Sequence, residues 1–257
     1  MTLYILGNGF DIANNMHTQY RYFRDFVKKN GKKNTFEFME ELFELDFDWK
    51  NFEEALGHPK SISLTIDKLK YGEFVKKEIQ ELFNKWILET DIASDKEKIA
   101  LFKENSVFLT FNYTSTLEIA YDIPLAHVCH IHRYSGDQLF FNKECDLVFG
   151  HGEKPSHPLD YSLKACLYKD TKAYYEKSKS FFEKWMPYVF EIAIIGFSYS
   201  LIDIYYFQKI NEMAPQIKWH CGFHTEKDKL NAQLFMKKLG IKNYTIESNE
   251  RLLEGLF

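Results

Sequence analysis

Leu3-Tyr4-Ile5-Leu6-Gly7-Asn8-Gly9-Phe10-Asp11-Ile12-Ala13 is the stretch from which the rest of the chain is best read. Four apolar residues run directly into Gly7-Asn8-Gly9, the pattern of a buried parallel strand that ends in a tight loop. Glycines at that point let the backbone turn sharply and approach a pyrophosphate, while a following helix offers N–H donors and its positive dipole end. Gly7, Asn8, Gly9, Phe10 and Asp11 are therefore candidate nucleotide-binding residues. A turn of purely structural purpose fits the same two glycines. The complete Gly-x-Gly-x-x-Gly pattern is not met, because Ile12 occupies its last position, and no second strand with an acidic tip follows about 20 residues on. These departures argue against a standard dinucleotide dehydrogenase.

Downstream of the loop the periodicity changes. From Tyr20 to about Lys103 apolar residues recur at helical spacing: Phe23, Phe26 and Val27, then Phe36, Met39 and Phe43, then Phe74, Ile79, Phe83, Trp86 and Ile87. Strand-like runs return at Val107 to Phe111, Ala126 to Ile131, Leu147 to Phe149, Ile192 to Ile195 and Ile217 to His220. Helical patterns separate them near Ser115 to Tyr121, Thr171 to Trp185, Leu201 to Met213 and Thr225 to Leu239. Such alternation predicts an α/β fold, a Rossmann-like and mostly parallel sheet with helices on both faces and a helical insertion after the first strand. No repeat or Pro/Gly-rich linker interrupts the chain, so residues 1–257 are read as one domain with residues 20–103 inserted in it.

Bulk properties narrow the function classes. With 45% apolar and 17% aromatic residues in 257, the chain buries enough surface to offset the entropy of ordering it, which excludes disorder. A formal charge of −4 supplies no general pull toward phosphate backbones, so nucleic acid is not the expected partner. Cys129, Cys145, Cys166 and Cys221 form no CxxC pair and no signal-peptide pattern opens the chain, so reduced thiols and a cytoplasmic location are expected. Apolar runs are strand-length, far short of the roughly 20 residues of a membrane helix, so no membrane partner is expected.

Other strand ends carry polar residues. Thr110-Phe111-Asn112-Tyr113-Thr114 leads into a helix signal in which Ser115 and Glu118 have capping-box spacing. Asn112 thus stands near the carboxyl end of its strand, where open α/β sheets bind ligands. Capping of the helix or its turn is the alternative. In His130-Ile131-His132, alternation places both histidines on one face. That is metal-ligand spacing, which His127 and His151 could supplement, yet no acidic or Cys partner sits at a recognisable offset and no metal is expected. A histidine at a strand end beside Asn112 suits general-base work near neutral pH. His130, deeper in the strand, reads as structural. Finally, Ile195-Gly196-Phe197-Ser198-Tyr199-Ser200 repeats the design of strand, glycine and small polar residues before Leu201-Ile202-Asp203 opens a helix. Ser198 suits a ribose or phosphate contact, or one of Ser198 and Ser200 caps the helix.

In order, Leu-Gly-Asn-Gly-Phe-Asp at 6–11, Trp49 to Glu53, Phe-Asn-Tyr-Thr at 111–114 with Leu117-Glu118, His-Ile-His at 130–132, Phe-Gly-His at 149–151, and Ile-Gly-Phe-Ser at 195–198 with Asp203 closely resemble the AbiH family. That family is named for abortive infection against phages and resembles a branch of the sirtuin-like NAD-binding proteins. The resemblance implies an anti-phage NAD⁺ hydrolase releasing nicotinamide and ADP-ribose, with NAD as substrate. It implies Asn112 and His132 as catalytic residues, and Gly7, Asn8, Gly9, Phe10, Asp11, Gly196, Ser198 and Asp203 as nucleotide-binding ones. A non-catalytic sensor of NAD or ADP-ribose that signals to a partner protein is the alternative. Arg133 departs from the pattern, which carries Gly directly after the histidine, and either narrows the pocket or adds a phosphate contact. The paired CxxC motifs of protein-deacylating sirtuins are missing, which ranks deacylation below NAD cleavage. An NAD hydrolase harms its own cell unless held off, by an oligomer or a regulatory partner protein, and the helical insertion is the candidate for oligomer contacts or for covering the pocket, with a passive helical cover as the alternative.

Overall fold

A computed structural model describes residues 1–42, 52–56, 66–141, 146–152, 167–255 and 257. Phe43, Trp49, Cys145 and Cys166 lie outside the described residues. In chain order the elements are β1 (Thr2–Leu6), α1 (Asn8–Ala13), α2 (Tyr20–Asn30), α3 (Lys33–Leu42), α4 (Phe52–Ala55), α5 (Ile66–Ala93), β2 (Ser106–Thr110), α6 (Thr116–Tyr121), β3 (Val128–His130), α7 (Gly136–Phe141), α8 (Thr171–Trp185), β4 (Glu191–Ile195), α9 (Ile204–Met213), β5 (Lys218–Phe223), α10 (Glu226–Leu239), β6 (Tyr244–Ser248) and α11 (Asn249–Leu253). They fall into two compact units: Met1–Met16, Ser94–Tyr134 and Thr171–Phe257 form the first, His17–Ala93 and Ser135–Asp170 the second.

The first unit is a six-stranded sheet of order β3-β2-β1-β4-β5-β6 in which every pairing is parallel. β1 is central and buried along its whole length, which explains why its apolar run does not alternate with polar residues. Leu3 and Ile5 join Val107, Leu109, Ile192, Ile194 and Trp219 on one face, under Phe182 of α8, Tyr206, Phe207 and Ile210 of α9, and Phe235 and Met236 of α10. Tyr4 and Leu6 join Phe108, Ala193 and Ile195 on the other, under Phe10 of α1, Leu117 and Tyr121 of α6 and Leu252 of α11. Each fully buried aliphatic or Phe side chain contributes about 1.5–3 kcal/mol, so the two faces hold the sheet as a sandwich layer. The strand order reverses between β1 and β4, the point at which chain crossovers run to opposite sides and a crevice opens at the strands' carboxyl ends.

Two sequence expectations need correction. Leu147-Val148-Phe149 is buried but forms no strand. Its backbone is met by helix side chains instead: Leu147 N donates to Asn84 Oδ1 at 3.1 Å, and Gln80 Nε2 donates to Leu147 O at 3.0 Å. Phe149 packs on Phe83 at 4.5 Å between ring centroids. An apolar run needs a partner edge to become a strand, and this one has a helix for a partner. Conversely, β6 was not anticipated, because the half-buried Tyr-Thr-Ile-Glu-Ser of an edge strand carries little hydrophobic contrast.

The second unit is mainly helical, and the expected helical periodicity ends at Ala93, with residues 94–103 carrying no helix. Phe23 of α2 meets Phe52 at 5.4 Å and Phe83 of α5 at 5.1 Å, both edge to face. The buried Glu78 carboxylate accepts from Lys32 N at 2.6 Å and Thr35 Oγ1 at 2.9 Å, satisfying donors at the start of α3. Lys169 is wholly buried, and its ammonium donates to Glu53 Oε2 at 3.2 Å, while Glu53 Oε1 accepts from Gly150 N at 3.3 Å. Removing one partner of such a pair costs more than the pair contributes. Glu53→Ala is expected to lower stability by about 3–5 kcal/mol in urea unfolding, and the joint replacement Glu53→Leu with Lys169→Met to recover most of that loss. An equal loss in both variants would show that packing, not the ion pair, matters there.

Candidate functional site

Gly7, Asn112, His132 and Gly196 each follow the end of a parallel strand of the first unit, β1, β2, β3 and β4 in turn. The two glycine loops face one another. Gly7 N donates to Ile195 O at 3.0 Å, extending the ladder by one bond, and Gly9 N donates to Gly196 O at 2.8 Å. A Cβ on Gly9 would stand 2.7 Å from Gly196 Cα, and one on Gly196 2.2 Å from Phe10 N. Gly196 also has φ +65°, in the left-handed region. The space that these glycines leave is filled by the opposite backbone, so their identity is required by loop-on-loop packing at the switch point.

The rest of the first loop points partly inward. Asn8 opens α1 and is half-buried. Phe10 enters the core, and the buried Asp11 accepts from Thr114 Oγ1 at 2.7 Å, tying α1 to the β2 exit. Asn14 donates to Phe10 O at 2.8 Å and accepts from Tyr121 Oη at 2.6 Å, so α1 is fixed to α6 as well. On the β4 side Ser198 is exposed, and Ser200 is the serine that caps the following turn, accepting from Ile202 N at 3.3 Å. Tyr199 between them has φ +58°, is buried and donates from Oη to Gly222 O at 2.8 Å. Burial holds that phenol well above its usual pKa. Asn249, at the start of α11, was invisible in the sequence reading: its Oδ1 accepts from Gly196 N at 3.2 Å, and Gly222 leaves the room for it to do so.

Asn112 is 5% exposed, and neither its Oδ1 nor its Nδ2 has a hydrogen-bond partner among the described residues. It caps nothing: the N-cap of α6 is Ser115, three residues on, and the Asn112 backbone N donates to Thr110 Oγ1 at 3.1 Å. Ser115 itself makes no side-chain cap bond, so the expected capping box with Glu118 is not formed. Glu118 Oε1 instead meets His130 Nε2 at 2.8 Å, and the His130 ring stacks on Tyr134 at 3.7 Å.

His132 is not on the same face as His130. β3 ends at His130, and a turn follows in which Arg133 N donates to His130 O at 3.1 Å. The turn redirects the chain, so His130 goes to the α6 side while His132 goes to the α9 side. There the His132 ring lies 5.3 Å from Phe111 and 6.2 Å from Tyr113, the two neighbours of Asn112. His132 Nε2 is 3.6 Å from Asp203 Oδ1 and 3.4 Å from Tyr206 Oη. The β2 exit, the β3 exit and the turn into α9 thus meet around one imidazole. His127 packs on Trp185 at 5.0 Å, and His151 belongs to the second unit. Among the described residues no group of three or more His, Cys, Asp and Glu side chains is placed to hold a metal. Cys129 and Cys221 are buried, and burial pushes each thiol up to about 12, which removes them as nucleophiles near neutral pH. No described helix is long and apolar enough to cross a membrane.

Two overlapping stretches, residues 3–75 and 61–223, match the family model described as Bacteriophage abortive infection AbiH. The chain belongs to the AbiH family. Membership assigns it to bacteriophage abortive infection, and the matched span includes all four strand ends of the site while leaving out α10, β6 and α11. No curated protein matches the chain.

Arg133 is exposed and has φ +63°, a conformation that glycine adopts without strain. Arg133→Gly relieves about 1–2 kcal/mol of left-handed strain and adds about 0.5–1 kcal/mol of unfolded-chain entropy. It is expected to leave stability unchanged or raise it by up to about 1 kcal/mol in thermal or urea unfolding. Gly196→Ala is expected to lose about 2 kcal/mol or more, since strain and backbone overlap add. A tolerated Gly196→Ala would contradict the loop-on-loop contact.

Proposed function

We propose that the strand-end site of this AbiH protein binds NAD and hydrolyses it to nicotinamide and ADP-ribose, in the manner of sirtuin-like enzymes. The observation that carries the reading is the buried Asn112 carboxamide with both polar atoms unmatched. Burying such groups unpaired costs about 1–3 kcal/mol each, so a side chain kept in this state calls for a ligand or an ordered water that completes it. An amide asks for one acceptor and one donor. A phosphate ester dianion offers acceptors only, whereas a ribose hydroxyl or a water offers both.

Nicotinamide leaves as a neutral pyridine, so the reaction needs no acid on the leaving group. It needs a stabilised oxocarbenium and a placed water. Asn112 holds the water and a ribose hydroxyl from opposite ends of its carboxamide. The water oxygen bonds to C1′ as the C1′–N bond breaks with its electron pair going to nicotinamide. His132 takes the proton that the water loses, directly or through the ribose hydroxyls, and passes it to solvent. Gly7, Gly9 and Gly196, brought flush by their mutual contact, give the dinucleotide a floor of peptide at the switch point, with Asn8 and the exposed Ser198 at its two sides.

Purified protein incubated with NAD and followed by chromatography is expected to release nicotinamide, and Asn112→Ala or His132→Ala to lower the rate by about 100-fold to 10,000-fold. Full release by either variant would sink the assignment. Thermal stabilisation by NAD without turnover in wild type would instead identify the pocket as a nucleotide sensor.

A further inference from the structure

Resting on the reading of His132 as the proton acceptor, we propose that Asp203 is the positioning residue of this histidine, with Tyr206 as its auxiliary. Asp203 would then act through the imidazole rather than on the nucleotide, although the family resemblance places it among nucleotide contacts. The geometry is specific to one edge of the ring. Asp203 Oδ1 and Tyr206 Oη both meet Nε2, at 3.6 Å and 3.4 Å. Asp203, His132 and Tyr206 are all buried, so the carboxylate is little screened by solvent. The titratable groups facing the ring include Asp203 at the N-cap of α9, Tyr206 within α9 and Tyr113 from the β2 exit, and Phe111 packs against the ring as well.

A carboxylate on the Nε2 edge electrostatically favours the tautomer with its proton there, in which Nδ1 carries the lone pair. When Nδ1 takes a proton from water or a ribose hydroxyl, the imidazolium charge forms beside the Asp203 carboxylate. The arrangement has a second support in the backbone. Asp203 is the N-cap residue of α9, yet its side chain makes no cap bond to that helix, although carboxylates are among the favoured caps. The carboxylate is directed at His132 instead. By contrast His130, two residues earlier and the last of β3, spends its Nε2 on Glu118 of α6, on the other face.

Two readouts test the assignment. Nitrogen-15 histidine spectra of the full chain are expected to show wild-type His132 as the Nε2–H tautomer. In Asp203→Asn its titration midpoint should fall by about one pH unit or more, since the ring loses a neighbouring negative charge. Tyr206→Phe should give a smaller fall and serves as the second probe of the same edge should Asp203→Asn fold poorly. The acid limb of the nicotinamide-release profile should move with the His132 midpoint, and Asp203→Asn should lose at least 100-fold in kcat with KM changed less. If wild type releases no nicotinamide but the His132 midpoint falls in Asp203→Asn, the hydrolase reading fails and the pairing stands. If nicotinamide release depends on Asn112 while Asp203→Asn leaves tautomer, midpoint and pH profile unchanged, the pairing is overturned and the hydrolase reading stands. A rise in KM alone would likewise overturn it, returning Asp203 to the nucleotide.

Discussion

Everything around the crevice depends on one backbone contact, that between the loop leaving β1 and the loop leaving β4. Gly9 N to Gly196 O and Gly7 N to Ile195 O carry the sheet's hydrogen bonding past the last paired residues. Three glycines are needed because the peptides pack at a distance that leaves no room for Cβ atoms. This contact sits where the strand order reverses, and it settles the directions in which the two chains depart. From Gly9 the chain enters α1, which delivers Phe10 to one hydrophobic face and Asp11 to Thr114. From Gly196 it turns through the left-handed Tyr199 toward α9, which delivers Asp203 and Tyr206 to His132. The two sides of the site are thus aligned by the same stitch.

Polar chemistry is then divided between the faces of the sheet. The α6 side uses its carboxylates and amides for assembly: Glu118 on His130, Asp11 on Thr114, Asn14 between Phe10 and Tyr121. Each joins the helix layer to the strand ends by a close bond, of 2.6 to 2.8 Å. The α9 side is arranged differently. There an imidazole faces a carboxylate and a phenol at distances longer than a tight hydrogen bond, next to a loop whose asparagine is unmatched. Groups that hold structure bond closely, whereas groups awaiting a substrate often bond loosely until it arrives.

Most of the sheet was legible because parallel strands buried on both faces announce themselves as unbroken apolar runs, as residues 3–6 and 192–195 do. The same rule misread residues 147–149, where burial comes from packing on α5 and the backbone is met by Asn84 and Gln80; periodicity reports burial, not the identity of the partner. β6 was missed for the converse reason, an edge strand with half-buried residues. For the site, strand-end position singled out Gly7, Asn112, His132 and Gly196, since that position follows from alternation alone. What could not be read was which neighbours meet. The His130 and His132 rings diverge because β3 stops at His130, two residues before His132, and a turn follows. Asn249 reaches Gly196 across a separation of 53 residues, and nothing in its local sequence marks it.

The placement of backbone strain carries the argument for function one step further. Among the described residues, Asn15, Asn105, Asp122, Arg133 and Tyr199 have positive φ without being glycine. Asn and Asp enter the left-handed region at little cost, because their side chains hydrogen-bond locally. Arg and Tyr do not share that ease, and each costs on the order of 1–3 kcal/mol. Both stand beside the proposed site, Arg133 directly after His132 and Tyr199 directly after Ser198. The unmatched Asn112 amide adds a cost of similar size in the same crevice. A domain whose net stability is typically about 5–15 kcal/mol retains such local costs only where the rest of the fold enforces them. Here the enforcing structure is the buried centre of the sheet, and Asn112, Arg133 and Tyr199 lie beyond the carboxyl ends of its strands, where a ligand would reach them.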